Sequence, residues 1–314
     1  MNESQSTHRV LMIRPVGFTG NLQTQASNRF QSQSGSHEVA GVQAQALLEF
    51  DGLVESLRAA GVQVQVINDT PEPHTPDSIF PNNWVSFHAD GSVVLYPMMA
   101  LNRRDERRMD VLEQLSAQGL KIRQVIDLSH HEPSGKFLEG TGSMVLDRVN
   151  HIAYACVSPR TDLDVLGEFA QRLDYELVSF NAADASGVPV YHTNVLMCVG
   201  SRFAAVCAEV IAEQERAAVL HALRQGGHEV IELTAAQMHA FSGNMLELKT
   251  AGGELCVAMS QSAYDALTND QRARLKYLGG SLIVAPIPTI EKEGGGSVRC
   301  MLAEIFLPPG SAAG

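Results

Sequence analysis

The segment VQVQVI, residues 62–67, is the first of a series of short apolar runs that decides the fold. Valine and glutamine alternate in it, which is the pattern of a β-strand with one buried face. Residues 41–60, immediately before it, carry apolar side chains at helical spacing, for example at Val54 and Leu57. The two patterns together predict an amphipathic helix that leads directly into a strand.

This helix–strand unit recurs along the chain. Apolar, β-branched runs bounded by Gly, Asn, Asp or Pro predict a strand in each unit. We predict strands at 62–67, 120–128, 175–180, 228–233 and 281–286, preceded by helices at 41–60, 104–118, 162–174, 213–225 and 268–278. The strand starts lie about 50 to 60 residues apart, and a fixed period of that size indicates a repeat architecture.

Two α/β architectures fit these units. Each strand is separated from the next helix by room for further short strands, as at NWVSFH (83–88) and SVVLYP (92–97). Five mixed-strand units with outer helices could close into a ring that leaves no free sheet edge. An open α/β sheet made of βαβ units is the alternative. Periodicity alone slightly favours the open sheet, whereas the regular spacing favours the ring.

Composition excludes several classes of function. The chain has 314 residues, 45% of them hydrophobic, and a formal net charge of -12. An acidic chain is a poor ligand for nucleic acid or for an anionic membrane surface, because both carry negative charge. The sequence has no apolar run approaching the roughly 20 residues that span a bilayer, and residues 1–9 do not resemble a signal peptide. We therefore expect a cytoplasmic location.

The five cysteines divide into two groups. They show no CxxC pair and no regular spacing, which argues against both a disulfide framework and a zinc site. Four of them lie in apolar runs, as expected for core residues; these are Cys156, Cys198, Cys207 and Cys256. Cys300 instead follows three consecutive glycines, Gly294 to Gly296, and we expect a flexible loop there.

Four short segments carry residues suited to chemistry: PDSIFPNNW (76–84), LEGTGS (138–143), YHTN (191–194) and GGGSVRC (294–300). Each alone has an ordinary structural interpretation as a turn, a solvated carboxylate, a satisfied histidine or a mobile loop. Together they supply the parts of nucleophilic catalysis by cysteine. A thiolate needs a nearby histidine to move protons, and the histidine needs a carboxylate to fix its tautomer.

The order PDxxF, LEG, HTN and GGGxxxC resembles the amidinotransferase superfamily of guanidino-modifying enzymes, which includes arginine deiminases and dimethylarginine dimethylaminohydrolases. The resemblance covers the chain from about Arg14 to Pro308 and is closest to the branch that hydrolyses citrulline to ornithine. It implies a five-bladed, pseudo-symmetric α/β propeller (pentein) of ββαβ units, with residues 1–314 as a single catalytic domain.

The resemblance also implies roles for particular residues. Cys300 would be the nucleophile, His192 the general acid and base, and Glu139 the group that orients His192. The pocket around the reacting group would be lined by Asp77, Asn82, Asn83 and Asn194, and the substrate carboxylate would be held by Arg103 and Arg160. Arginine suits that task because its planar guanidinium pairs with a carboxylate through two bonds; a solvated surface charge is the alternative for both arginines. No metal or organic cofactor is implied, and we assign no role to the His130–His131 pair.

This chain departs from the deiminase pattern in a way that predicts its substrate. Positions 83 and 194 carry Asn, where the deiminase pattern has acidic residues that clamp the guanidinium. A buried guanidinium would lose about 3–5 kcal/mol for each missing partner. A ureido group is neutral, and Asn offers it both an acceptor and donors. We therefore predict citrulline as the substrate. The Gly-rich turn also departs, reading EGTG at 139–142 instead of EGGD, which leaves Glu139 intact.

Other functions stay open at this stage. Arginine or a methylated arginine could bind if Asp77 alone neutralised it. An amidinotransferase with an amine acceptor shares the covalent chemistry, and the same propeller occurs in a non-catalytic binding protein. We expect a small-molecule amino-acid substrate as the partner and leave a homodimer open. The polar segment 20–40 is either a functional lid or disordered.

Overall fold

The chain is an α/β protein built from small three-stranded sheets. The computed structural model describes residues 4–25, 27–31 and 39–310, with the backbone alone at 39 and 40. Within these residues the strands form five separate sheets. The strands are β1 (Arg9–Arg14), β2 (Gln63–Asn68), β3 (Val85–Phe87), β4 (Ser92–Leu95), β5 (Gln124–Asp127), β6 (Val145–Asp147), β7 (Ile152–Cys156), β8 (Glu176–Phe180), β9 (Met197–Val199), β10 (Phe203–Val206), β11 (Glu229–Glu232), β12 (Leu246–Lys249), β13 (Leu255–Ser260), β14 (Ser281–Ala285) and β15 (Ala303–Glu304).

The helices lie between strands of the same sheet or just before a sheet begins. They are α1 (Leu22–Gln25), α2 (Val39–Ala59), α3 (Met109–Ala117), α4 (Gly140–Ser143), α5 (Leu163–Leu173), α6 (Thr193–Leu196), α7 (Glu213–Gln225), α8 (Ala235–His239), α9 (Gln261–Ala266), α10 (Asn269–Gly279) and α11 (Pro288–Gly294). Side chains close several helix starts, such as Asp162 at α5 and the Thr268–Gln271 capping box at α10. Such caps satisfy backbone N–H groups that have no partner inside the helix.

All five predicted helices and all five predicted strands are present, with differences in the second unit. The helix predicted at 104–118 begins only at Met109, because a 3₁₀ segment, Leu101–Glu106, precedes it. Within that segment the side chain of Arg103 pairs with that of Glu106, three residues on, which is one 3₁₀ turn. The strand predicted at 120–128 is limited to Gln124–Asp127.

Each sheet has the same ββαβ topology. In the second sheet β4 pairs antiparallel with β3 and parallel with β5, and α3 connects β4 to β5. The sheets of β6 to β8, β9 to β11 and β12 to β14 repeat this arrangement. The remaining sheet joins the two ends of the chain, because β15 pairs antiparallel with β1 and places Glu304 opposite Val10. The alternative of one open sheet is therefore wrong.

The first strand of each sheet lies inside the molecule and the third lies near its surface. Strands β3, β6 and β9 are buried throughout, whereas β5 and β8 are largely exposed or half-buried. First strands of different sheets touch one another, with β15 against β3 and β9 against both β6 and β12. The turns that precede these inner strands are thereby brought close together. Among the helices of the described residues, none is both long and apolar enough to cross a membrane.

Candidate active site

Several of the predicted site residues lie on equivalent turns that precede the inner strands. Each unit contains one residue that is followed by a large or branched apolar residue and then by Val or Leu. This shared position is occupied by Asn83, Ser143, Asn194, Asn244 and Cys300. The backbone N–H groups of Asn83, Asn244 and Cys300 all bond to the carbonyl three residues earlier, at 3.2, 2.8 and 2.9 Å. The repeat therefore gathers one position from every unit, although the units are far apart in sequence.

Cys300 is buried beside two amide side chains. Cys300 belongs to the 3₁₀ segment Val298–Met301 and is 3% exposed. The Sγ atom is 3.6 Å from Nδ2 of Asn194 and 3.3 Å from Nδ2 of Asn244. The sequence analysis missed Asn244. Its position in the repeat, before Met-Leu as in Cys300-Met301-Leu302, is the signal that could have found it.

The glycines before Cys300 form a packed turn, so the expectation of a flexible loop there is corrected. Gly294 ends α11, and Gly295 has a φ of +63°, a left-handed conformation that favours glycine. A Cβ atom at Gly294 would lie 2.7 Å from the Phe80 ring, and one at Gly296 would lie 2.9 Å from the same ring. Glycine is needed here because the backbone approaches neighbouring side chains closely.

The other four cysteines are buried and unpaired, as predicted for core residues. Burial raises the pKa of the Cys156 and Cys198 thiols to about 12, and that of Cys207 and Cys256 to about 11. A thiol with so high a pKa is a poor nucleophile at neutral pH. These four thiols are therefore poor candidates for a nucleophile.

His192 and Glu139 form a buried hydrogen-bonded pair, as the motif order predicted. Nε2 of His192 lies 2.9 Å from Oε2 of Glu139, and both side chains are at most 3% exposed. Burial lowers the pKa of His192 to about 4, although Glu139 opposes this shift. Burial by itself would raise the pKa of Glu139, but Arg160, His192 and Arg103 together hold it below its usual range. The pair therefore consists of a carboxylate and a neutral imidazole that donates from Nε2, which leaves Nδ1 as an acceptor.

Arg103 and Arg160 are both inside the protein, each 2% exposed, so the surface-charge interpretation is wrong for both. Arg103 directs Nε and Nη2 to the carboxylate of Glu106, each at 2.9 Å, and donates from Nη1 to Oδ1 of Asn83 at 3.1 Å. Two of its nitrogens are therefore engaged by Glu106, a residue that the sequence analysis missed. Arg103 fixes the Asn83 amide with its Nδ2 group directed away from the guanidinium.

Arg160 contacts neutral oxygens from the N-terminal segment. It donates from Nη2 to the Ser27 hydroxyl at 2.6 Å and to the Thr24 carbonyl at 3.1 Å, and from Nη1 to Glu139 at 3.3 Å. Asn28 of the same segment donates to the carbonyls of Gly294 and Gly295. Described residues of segment 20–40 therefore cover the cavity beside Cys300, while residues 26 and 32–38, on which the lid and disorder alternatives also depend, lie outside the described residues.

Several polar atoms of the predicted pocket residues are buried without a hydrogen-bond partner among the described residues. They are Oδ1 of Asp77, both amide atoms of Asn82, Nδ2 of Asn83 and Oδ1 of Asn194. Buried polar groups are nearly always bonded in native proteins, so such a cluster is informative. Six of the nine predicted site residues line one small, partly open cavity: Asp77, Asn83, Arg103, Arg160, His192 and Cys300. The arrangement can receive a polar ligand that supplies both donors and acceptors.

One group of potential metal ligands lies away from this cavity. His130, His131 and Glu168 bring three ligand atoms within 4.8 Å of one another. Nε2 of His131 already pairs with Glu168 at 2.8 Å, and His130 is exposed. None of the three residues lines the cavity beside Cys300. That the chemistry uses no metal stays a prediction.

Five three-stranded ββαβ sheets with connecting helices are consistent with the pentein class of α/β proteins. Solved structures of that class match the fold. ArgZ, an arginine dihydrolase from the ornithine–ammonia cycle in cyanobacteria, matches with a TM-score of 0.74 at 17% identity, over 96% of this chain and 41% of ArgZ. The N-terminal domain of ArgZ bound to substrate matches with a TM-score of 0.73 at 17% identity, over 95% of this chain and 99% of the domain. A dimethylarginine dimethylaminohydrolase variant, as an adduct with S-methyl-L-thiocitrulline, matches with a TM-score of 0.64 at 15% identity, over 96% of this chain and 100% of that chain.

At these identities the structural likeness shows the fold alone, and this chain spans less than half the length of full-length ArgZ. No curated protein sequence matched the chain. A family model described as eukaryotic N,N-dimethylarginine dimethylhydrolase matches residues 14–307. The chain belongs to this family.

Proposed function

We propose that this protein hydrolyses the ureido group of L-citrulline to ornithine, ammonia and carbon dioxide through an S-carbamoyl intermediate on Cys300. The observation that carries the proposal is a pair of buried amide atoms, the Asn83 Nδ2 donor and the Asn194 Oδ1 acceptor, which have no hydrogen-bond partner among the residues that the structure describes. Asn83 lines the cavity and Asn194 touches the Cys300 sulfur. A ureido group presents one carbonyl acceptor and several N–H donors, so it satisfies both kinds of atom without bringing a charge.

The buried charges of the site also favour a neutral reacting group. Two guanidinium groups, Arg103 and Arg160, lie among three carboxyls, Asp77, Glu106 and Glu139. Burial raises the pKa of Asp77, with Arg103 and a hydrogen bond from Asn21 acting in the opposite direction. A raised pKa favours the neutral form of Asp77, and a neutral ureido group adds no charge to this buried cluster.

The chemistry uses the neutral His192. As Sγ of Cys300 attacks the ureido carbon, the thiol proton passes to the imidazole, which then gives it to the departing nitrogen of ornithine. The carbamoyl thioester is cleaved when His192 takes a proton from water, and the released carbamate decomposes to ammonia and carbon dioxide. Glu139 accepts from Nε2 and stabilises the transient imidazolium, as a carboxylate does in a triad.

Arg160 would bind the α-carboxylate of the amino acid. Its present partners, the Ser27 hydroxyl and the Thr24 carbonyl, are neutral acceptors from the covering segment. A carboxylate is a stronger acceptor for a guanidinium than either of them. Arg103, whose nitrogens are engaged by Glu106 and Asn83, would hold the Asn83 amide in place. The proposed enzyme is a single domain, residues 1–314, in which the five sheets close into a propeller.

Arginine or a methylated arginine is the second candidate substrate, favoured by Oδ1 of Asp77, which has no partner among the described residues. An ionised Asp77 could pair with one guanidinium. ArgZ, which shares the fold, is an arginine dihydrolase, and the family model is described by dimethylarginine hydrolysis. Under this reading the missing carboxylates at 83 and 194 would be offset by Asp77 alone.

The test is to measure ornithine, citrulline and ammonia released from citrulline, arginine and dimethylarginine by the wild type and by Cys300→Ser. The proposal expects ornithine and ammonia from citrulline, with activity abolished in Cys300→Ser. Higher kcat/KM for arginine than for citrulline would replace it by the second candidate.

Asn83→Asp tests whether the substrate requires a neutral side chain at position 83, because it keeps the shape of the side chain and adds a negative charge. A carboxylate at 83 would face Arg103 and add a negative charge beside the reacting carbon. We expect it to lower kcat/KM for citrulline by about 10- to 100-fold, the range expected when a neutral buried donor is lost. Equal kcat/KM for citrulline in the wild type and in Asn83→Asp would show that the Asn83 amide does not bind the ureido group.

A further inference from the structure

We propose that Asn244 is a positioning residue that holds the Cys300 sulfur and stabilises its thiolate, a role that rests on the proposed function of Cys300 as nucleophile. Asn244 occupies, in the unit of β12 to β14, the repeat position that Cys300 occupies in the unit that joins the chain ends. Every other unit places a residue of the predicted site on or beside this turn. Asn244 is the residue at this turn in the remaining unit.

The contacts fix the direction in which the Asn244 amide points. Nδ2 donates to the carbonyl of Asn194 at 3.0 Å and lies 3.3 Å from Sγ of Cys300, while Oδ1 lies 3.7 Å from the same sulfur. A flipped amide would set two oxygens 3.0 Å apart, so the carbonyl of Asn194 determines the orientation. The second N–H of Nδ2 is thereby aimed at the sulfur.

Both protonation states of Cys300 find a partner in this amide. A thiol can donate weakly to Oδ1, and a thiolate can accept from Nδ2 without any movement of Asn244. Asn194 adds a second amide donor at 3.6 Å, from a different unit. Hydrogen bonds to a charged group are about twice as strong as those to a neutral one, so the pair favours the thiolate.

The backbone before Asn244 is held in a conformation that serves this placement. Phe241 has a φ of +62°, which is unusual for a bulky residue and is commonly retained at functional sites. A Cβ atom at Gly243 would lie 2.3 Å from the Val195 carbonyl, so this turn packs directly on the one that carries Asn194. The Ser242 hydroxyl bonds to the Ala263 carbonyl at 3.1 Å. Asn244 itself is 0% exposed.

Other ionisable groups also act on the sulfur or lie in its cavity, and any pH profile reflects them together. They are Asp77, Arg103, Arg160, Tyr191, His192 and Arg299. Because the His192 imidazole is neutral, it provides no positive charge to the thiolate of the free protein. The two amides are then the direct donors to the sulfur among the described residues.

The experiment measures the rate of Cys300 alkylation by iodoacetamide between pH 5 and pH 10, with mass spectrometry to identify the labelled cysteine. The variants are Asn244→Asp, which keeps the shape and removes the donor, and Asn244→Leu, which removes the amide without adding a charge. Asn269→Asp is the control, because Asn269 is exposed at the start of α10. Circular dichroism establishes that each variant is folded.

We expect Asn244→Asp to slow alkylation at pH 7 by about 10- to 100-fold and to move the titration midpoint of the rate upward, since a hydrogen bond to a charged group is lost. Asn244→Leu should act in the same direction with a smaller shift, and Asn269→Asp should match the wild type. A wild-type profile in either folded Asn244 variant would overturn the proposal. If Asn244→Asp fails to fold, Asn244→Leu decides.

This test needs no amino-acid substrate, so it separates the two proposals. Slowed alkylation together with no citrulline turnover would leave Asn244 in its role and reject the substrate. Citrulline turnover together with unchanged alkylation in the Asn244 variants would support citrulline as the substrate and reject the role of Asn244.

Discussion

Two buried histidine–carboxylate pairs connect the same two units, yet only one of them faces the cavity. His192 bonds to Glu139 at 2.9 Å, and His228 bonds to Asp147 at 2.7 Å. Glu139 lies before β6 and Asp147 ends it, while the histidines precede β9 and β11 of the neighbouring sheet. A hydrogen-bonded histidine–carboxylate pair is therefore not by itself a sign of catalysis.

The surroundings distinguish the pairs. Beside His192 lie a cysteine and two buried arginines, which line one cavity with it. Asp147 instead receives two further hydrogen bonds from Asn150, at 2.7 and 3.2 Å. These bonds and that of His228 hold the pKa of Asp147 below its usual range, although burial alone would raise it. The His228–Asp147 pair joins units, whereas the His192–Glu139 pair also faces the cavity and is the pair for which we propose proton transfer.

Replacing each histidine by alanine should separate the pairs most sharply. His192→Ala should lower kcat/KM about 10³- to 10⁴-fold, because general acid and base catalysis are lost together. His228→Ala should leave kcat/KM within about threefold and lower the free energy of unfolding by about 1–3 kcal/mol, because Asp147 loses a buried partner. Steady-state assays and urea denaturation measure both. A large loss of activity in a folded His228→Ala variant would show that both pairs are needed for catalysis.

The carboxylates give the next largest contrast. Glu139→Gln should reduce kcat about 10²- to 10³-fold, since the imidazolium formed during the reaction loses its stabilising charge. Asp147→Asn should affect only stability. Activity retained by Glu139→Gln would show that His192 acts without an orienting carboxylate.

The pH dependence of stability should also identify the His192 pair. The pKa of His192 is about 4 in the folded protein against 6.5 for the ordinary side chain. As pH falls through 6.5 the unfolded chain binds the proton first, so stability is lost between pH 6.5 and about 4. The free energy of unfolding attributable to His192 should fall by about 3 kcal/mol between pH 7 and pH 4. Urea denaturation at the two pH values should show this loss in the wild type and in the exposed control His130→Gln, and a smaller loss in His192→Gln. Equal losses in all three would contradict the shift.

The smallest contrast concerns a glycine beside each pair. A Cβ atom at Gly142 would lie 2.4 Å from Nδ2 of Asn83 and 2.8 Å from Nδ1 of His192. One at Gly226 would lie 3.1 Å from Oδ2 of Asp147, a contact that a small shift relieves. Gly142→Ala should therefore lower kcat/KM about 10-fold or more, because catalysis is sensitive to small displacements, and Gly226→Ala should keep wild-type activity. Equal activities would mean that His192 tolerates displacement.

Much of the fold could be predicted from the sequence, because strand and helix periodicities are local properties of the chain. The five helix–strand units were predicted close to their observed bounds, and the four apolar cysteines were expected in the core. The start of α3 was predicted too early, since the apolar pattern does not reveal that Arg103 and Glu106 form a 3₁₀ turn. The motif order also predicted the His192–Glu139 pair, which the structure brings together.

Other parts of the site depend on contacts between distant segments. Local sequence around Arg160 is equally compatible with an exposed arginine, whereas in the structure Arg160 is buried and bonds to Thr24 and Ser27 of a distant segment. The sequence around Asn244 resembles an ordinary turn before a strand, and its proposed role depends on contact with the Cys300 sulfur, 56 residues away along the chain.

The sequence by itself determined the repeat, the elements within each unit and the chemical types available at each turn, because these follow from local propensity and residue identity. Only the tertiary structure decided which turns meet, which of two similar histidine pairs faces a cavity, and which buried amides have donors or acceptors without a partner in the described part of the chain. The physical reason is that burial and long-range contacts set pKa values and hydrogen-bond needs, and neither is a property of a residue and its neighbours in sequence.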